Sequence, residues 1–142
     1  MNHLISEEDL AFKIHVESCK FPVSEFHHKE HLQLAYVYLA EYGIDGAATR
    51  MRHTLHNLLI HAGITPSQKY HETLTRAWIL AVYHFMKITE QSNSATDFIN
   101  QNPTMLDSKI MHTHYSAEVL FSEDARKSFI EPNLDPIPKY EG

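Results

Sequence analysis

Apolar residues recur every three or four positions along this chain, in segments of about 10 to 25 residues, and no stretch alternates apolar and polar residues over a useful length. That spacing predicts helices. Glycine and proline separate them, at Gly43, Gly46, Gly63 and Gly142 and at Pro22, Pro66, Pro103, Pro132, Pro136 and Pro138. A first helix is expected after Ser6, with Glu7, Glu8 and Asp9 in its first turn, running to about Cys19 and stopping before Pro22. A second opens at Ser24 and ends near Tyr42, where Gly43 suits the C′ position. A third spans Asp45 to about Ala62. A fourth opens with Thr65 as cap and Pro66 as its first residue, and continues to about Gln91. Short helices follow Ser94, Asp107, Ser116 and Ser122. From Glu131 the sequence EPNLDPIPKYEG carries too much proline for a helix and is expected to form an extended strap or to hang loose. The prediction is an all-α fold. Four main helices form a bundle, short C-terminal helices close one end, and residues 1–142 make a single domain with 1–5 and 131–142 peripheral.

Composition narrows the classes. With 142 residues, 43% apolar and 21% charged, the chain is long enough for one core and is neither disordered nor collagen-like. A net charge of −6 argues against a nucleic-acid or anionic-membrane partner, and no apolar stretch reaches the length of a membrane span. The single cysteine, Cys19, fits a reducing compartment, and a cytoplasmic location is expected. Cys19 has no activating neighbour in sequence and reads as a small buried hydrophobe. Residues 4–10 read LISEEDL, the core of a common epitope tag, and no function is placed on them.

Histidine is the unusual component, with 12 residues against 12 Lys plus Arg. On the second helix the apolar stripe is Leu32, Ala35 and Leu39. His31 and His28 continue it toward the N-terminus, and His27 lies at its edge. On the fourth helix the stripe of Leu74, Trp78, Ala81, Val82 and Phe85 runs back to His71. If consecutive helices alternate in direction, the second and fourth run parallel and bring these imidazoles to one end of the bundle. Two His three residues apart plus a third from a neighbouring helix suit a divalent metal, Zn or Fe first, with an open position for water or substrate. Glu72 is the candidate general base, or simply an acidic residue in a helix's first turn. Arg76 is the candidate clamp for an anionic group, or a partner of Glu72 at i,i+4. The same three His equally suit hydrogen-bonded core positions.

The remaining histidines carry less. The third helix's stripe (Ala48, Met51, Leu55, Leu58, Leu59, Ala62) places His53 and His61 on the opposite, solvated side and His56 at its flank. His3 is expected in a loose terminus, and His15 and His84 at the core's edge. His112 and His114, at a helix junction, could add a ligand or a proton relay. There is no nucleophile elbow, no Gly-rich phosphate loop and no Cys-x-x-Cys. Three readings stand. The first is a metal-binding protein acting as a small, hydrolase-like enzyme. The second is a metal-free pocket of His, Tyr70 and Arg76 for a small acidic ligand. The third is an interaction module whose His respond to pH. A homodimer stays open in each, with no heptad seam to specify it.

Several of these segments resemble a family of short bacterial proteins of no established activity. The matching elements are Cys19-Lys20-Phe21-Pro22, then Phe26 followed by His28-Lys29-Glu30-His31-Leu32, then Tyr70-His71-Glu72-Thr73-Leu74-Thr75, and later Tyr115-Ser116, Leu120-Phe121-Ser122 and Glu131-Pro132-Asn133-Leu134. The resemblance spans about Phe12 to Pro138. His27 departs from it, since the family carries a small hydroxyl residue there. A looser similarity is to four-helix metalloenzymes of the DinB type, which collect three His inside a bundle with a different ligand spacing.

Overall fold

Ser6 starts the first helix, α1 (Glu7–Glu17), by a reciprocal cap: its hydroxyl accepts the Asp9 N–H while the Asp9 carboxylate accepts the Ser6 N–H. The same Asp9 Oδ2 accepts Ala95 N–H at 3.0 Å. Residues 4–10 are therefore bonded into the body of the protein. The computed structural model describes residues 2–140. Residues 1, 141 and 142, at the ends of the segments expected to be peripheral, lie outside the described residues.

The architecture is all-α, as the periodicity predicts, and among the described residues no helix is long and apolar enough to cross a membrane. The central element is α2 (His28–His61), broken at Gly43 (φ 77°, ψ −173°) into the two helices expected from sequence. Its first half is buried nearly all round, from Leu34 to Leu39, because α1, α4 (Glu72–Ile88) and α5 (Ala95–Gln101) all pack on it. The predicted stripes face inward: Leu32, Ala35 and Leu39 on α2, and Trp78, Ala81 and Val82 on α4, are buried. Ser94, Asp107, Ser116 and Ser122 cap α5, a 3-10 turn at Ser108–Thr113, α6 (Ala117–Leu120) and α7 (Glu123–Lys127), each through its side-chain oxygen.

Three expectations need correction. The second helix starts at His28, because Glu30 takes the His27 N–H at 2.9 Å; Val23–Glu25 is a separate 3-10 turn. The fourth is two helices, α3 (Pro66–Lys69) and α4, since Tyr70 and His71 are extended and the His71 imidazole caps α4. The N-terminus is not loose. Asn2–His3 pairs in parallel with Gln91–Ser92, and His3 is buried with its ring nitrogens on Ser92 Oγ (2.6 Å) and Met86 O (2.7 Å).

The proline-rich tail is a strap. Leu134 N–H donates to His114 O, Ile137 is buried, and Tyr140 OH meets His84 Nδ1 at 2.8 Å.

The break in α2 depends on two glycines. At Gly43 the backbone lies in a region open essentially to glycine alone. At Gly46 a Cβ would sit 2.6 Å from Tyr42 Cβ, so the backbone would have to shift. Gly43→Ala and Gly46→Ala should each lower the unfolding free energy by about 1–3 kcal/mol in urea titrations. Unchanged midpoints would mean that the break is not needed.

Candidate functional site

Residues at the N-terminal ends of both α2 and α4 border one space. Between them opens a cavity of about 700 Å³. His28, His31 and His71 all line it, together with Phe26, Leu58 and Trp78. Its outer wall comes from the turn at Ser108–Thr113 and from α6, which contribute Met111, His112, Leu120 and the exposed Phe121.

Each imidazole has a distinct role. His71 uses both nitrogens: Nδ1 accepts Leu74 N–H at 3.1 Å, and Nε2 therefore carries the proton and donates to Leu120 O at 2.7 Å. Burial, with the Arg126 charge, holds its pKa below the ordinary value against the opposing pull of the Leu120 bond. His28 donates from Nε2 to Met105 O at 2.8 Å and lies edge-on to Trp78, with centroids 4.5 Å apart. His31 is different. Its Nε2 is buried and has no hydrogen-bond partner among protein groups. Burial first, and the neighbouring His28 second, pull its pKa down to about 4.

The structure thus brings the three predicted His to one cavity without gathering them as a ligand set. Among the described residues no group of three or more His, Cys, Asp or Glu side chains is placed to hold a metal ion. The physical reason is competition: backbone carbonyls at Met105 and Leu120, and the start of α4, already engage His28 and His71.

Glu72 and Arg76 lie off this cavity. The Glu72 carboxylate accepts from Arg52 (Nε at 3.1 Å, with a second bond from its terminal nitrogen at 2.5 Å) and from Tyr70 OH at 2.6 Å. Burial opposes its ionisation, but these bonds and the Arg52 charge outweigh that, and its pKa is lowered. A carboxylate so engaged is a poor proton acceptor. Arg76 stands 3.6 Å from Asp45, with its guanidinium over the Phe129 ring, and does not pair with Glu72. Tyr70 lines the cavity and also a second one of about 460 Å³ beside Arg52 and His56. Burial and its bond to Glu72 raise the Tyr70 pKa.

The Tyr70-to-Thr75 element is a structural joint. His71 caps α4, Thr75 Oγ1 donates back to His71 O at 2.7 Å, and buried Thr73 bonds both Ser128 O and Ile130 N–H, fixing the start of the tail. Of the other histidines, His53 and His61 are exposed, as expected. His56 Nε2 is buried without a partner, edge-on to Tyr70. His112 borders the cavity, whereas His114 donates to Asp135 O in the strap. Cys19 is half-buried at a left-handed turn (φ 61°), its sulfur 3.6 Å from Asn57 O. Sequence reasoning missed Lys69 and Lys109, which line the cavity from outside the apolar stripes.

Comparison with known proteins finds no matching family, no similar curated protein and no similar solved structure.

The depressed His31 pKa has a consequence for stability. An unfolded chain protonates this imidazole as the pH falls through 6.5, while the folded chain resists until about 4. Stability is then fully present above pH 6.5 and drains away between those values, by roughly 3 kcal/mol from His31, with His71 adding in the same direction. Urea unfolding at neutral and mildly acid pH should show this loss, and His31→Phe should shrink it. An equal loss in the variant would mean that His31 is not buried in its neutral form.

Proposed function

We propose that this protein binds a small organic molecule in the cavity between the N-termini of α2 and α4. The observation that carries the reading is the cavity of about 700 Å³ itself, where three imidazoles meet an apolar and aromatic wall at the ends of two helices. His31 lines it and is held toward its neutral form, while its Nε2 is enclosed without a protein partner. The cavity's size falls in the range of ligand sites, and its lining is mainly apolar and aromatic with a few polar groups, the usual composition of such sites. Trp78, Phe26 and Leu58 offer the apolar wall.

The three-histidine metal site remains the second reading of the same cavity, favoured by the convergence of His28, His31 and His71 on it. It requires His71 to give up a bond to Leu74 N–H or Leu120 O, which the ligand reading does not. Zn or Fe would be the metals to try, and hydrolysis the reaction to look for with Zn.

Trp78 is the chain's single tryptophan and lies in the cavity wall, so its emission reports on occupancy. Titration with an aromatic alcohol such as naphthylmethanol should change Trp78 emission saturably and raise the thermal midpoint, with the response surviving chelator. Phe26→Ala, which removes part of the apolar wall, should weaken binding by about ten-fold. A response that needs zinc and vanishes with chelator would favour the metal site. No response to either would remove the cavity as a site.

A further inference from the structure

The charges around the cavity are distributed unevenly. The protein carries 18 Asp and Glu against 12 Lys and Arg. Yet among the described residues no acidic side chain lines the cavity, while Lys69 and Lys109 do, both exposed and neither in an ion pair. The two lysines come from different segments, the end of α3 and the turn at Ser108–Thr113. Asp107, next in sequence to the lining residue Ser108, is occupied with the Lys109 backbone N–H at 3.0 Å. Glu72, next to His71, is turned to Arg52 and Tyr70. Glu30, in the first turn of α2, is on the His27 N–H. Three of the carboxylates beside lining residues are thus committed to bonds of their own, while Glu25, exposed between Ser24 and Phe26, does not itself line the cavity. Low-dielectric walls strengthen the field of charges left beside them.

We infer that the ligand is an amphipathic anion, an aromatic or branched apolar body carrying one carboxylate, with its body against Trp78 and its carboxylate at the rim between Lys69 and Lys109. The inference rests on the ligand-binding reading above and adds the ligand's charge and orientation. The apolar wall of Trp78, Leu58 and Met111 accepts the body, and exposed Phe121, which borders the cavity, covers its outer face. A cationic ligand finds no counter-charge here. A strongly charged phosphate ester without an apolar body leaves the aromatic wall uncovered. Arg76, the cation expected from sequence to meet an acidic ligand, has no part in this, since it lies over Phe129 beside Asp45.

The test compares three probes of one shape, naphthoate, naphthylmethanol and naphthylmethylamine, by calorimetry and Trp78 emission on the full chain at neutral pH. Naphthoate should bind about ten-fold more tightly than the alcohol, and the amine more weakly than either. Added salt should reduce the naphthoate preference. The double variant Lys69→Glu/Lys109→Glu should abolish the preference or reverse it. Lys139→Glu, an exposed lysine against a different cavity, should keep it. Equal binding of acid and alcohol, or a preference that survives the double charge reversal, overturns the anion inference and leaves the ligand pocket standing. Failure of all three probes to bind overturns the pocket and the inference together.

Discussion

The His71 imidazole is the joint on which the cavity depends. One nitrogen ends the chain's extended stretch by capping α4, and the other holds α6 through Leu120 O. Making both bonds at once requires the neutral ring with its proton on Nε2. A protonated His71 could still donate to Leu120 but could no longer accept the Leu74 N–H. Cap and wall are therefore fixed by a single protonation state, and the element around His71 supports it. Thr75 satisfies the His71 carbonyl and Thr73 anchors the tail. The N-terminal ends of α2 and α4 can then share a space that neither the core nor the tail fills.

Much of this fold was legible because local rules and global packing agree. Ser6, Ser94, Ser116 and Ser122 each cap a helix where the sequence places a hydroxyl before a helical run. The break at Gly43 follows from its need for positive φ. The break at Tyr70–His71 was not legible, because neither glycine nor proline stands there and histidine is not a favoured cap. Nothing local marks it. The short parallel pair at Asn2–His3 and Gln91–Ser92 was equally invisible, since two-residue strands have no periodicity and here join the N-terminus to the residues after α4.

The candidate site was half legible. Helical geometry and the assumption that consecutive helices alternate in direction led to one place for His28, His31 and His71, and all three line one cavity. What the three rings do there depends on long-range partners. Met105 O and Leu120 O come from segments 77 and 49 residues away, and a helical wheel carries no information about them. Glu72 and Arg76 were assigned to a site by proximity in sequence to His71. The structure gives each a different partner, Arg52 and Asp45, because the extended backbone at Tyr70–His71 sets where α4 begins. Lys69 and Lys109 could not have been singled out, since their significance lies in the carboxylates absent from their surroundings.

His31 and His56 each enclose an Nε2 with no protein partner, which stability alone does not explain, and of the two only His31 lines the cavity between α2 and α4. Its neighbours Phe26 and Trp78 border the same cavity, and an aromatic side chain in its place would bury similar area without an unsatisfied nitrogen. His71 and His28 recover the cost of burial through backbone carbonyls, whereas Nε2 of His31 recovers nothing from the protein. Sequences that fold well break a local rule mostly where function requires it. Here the broken rule, the acid-free lining and the apolar wall coincide in one cavity. The lining and the wall belong together if a molecule with an apolar body for Trp78 and a negative group for the lysines completes them.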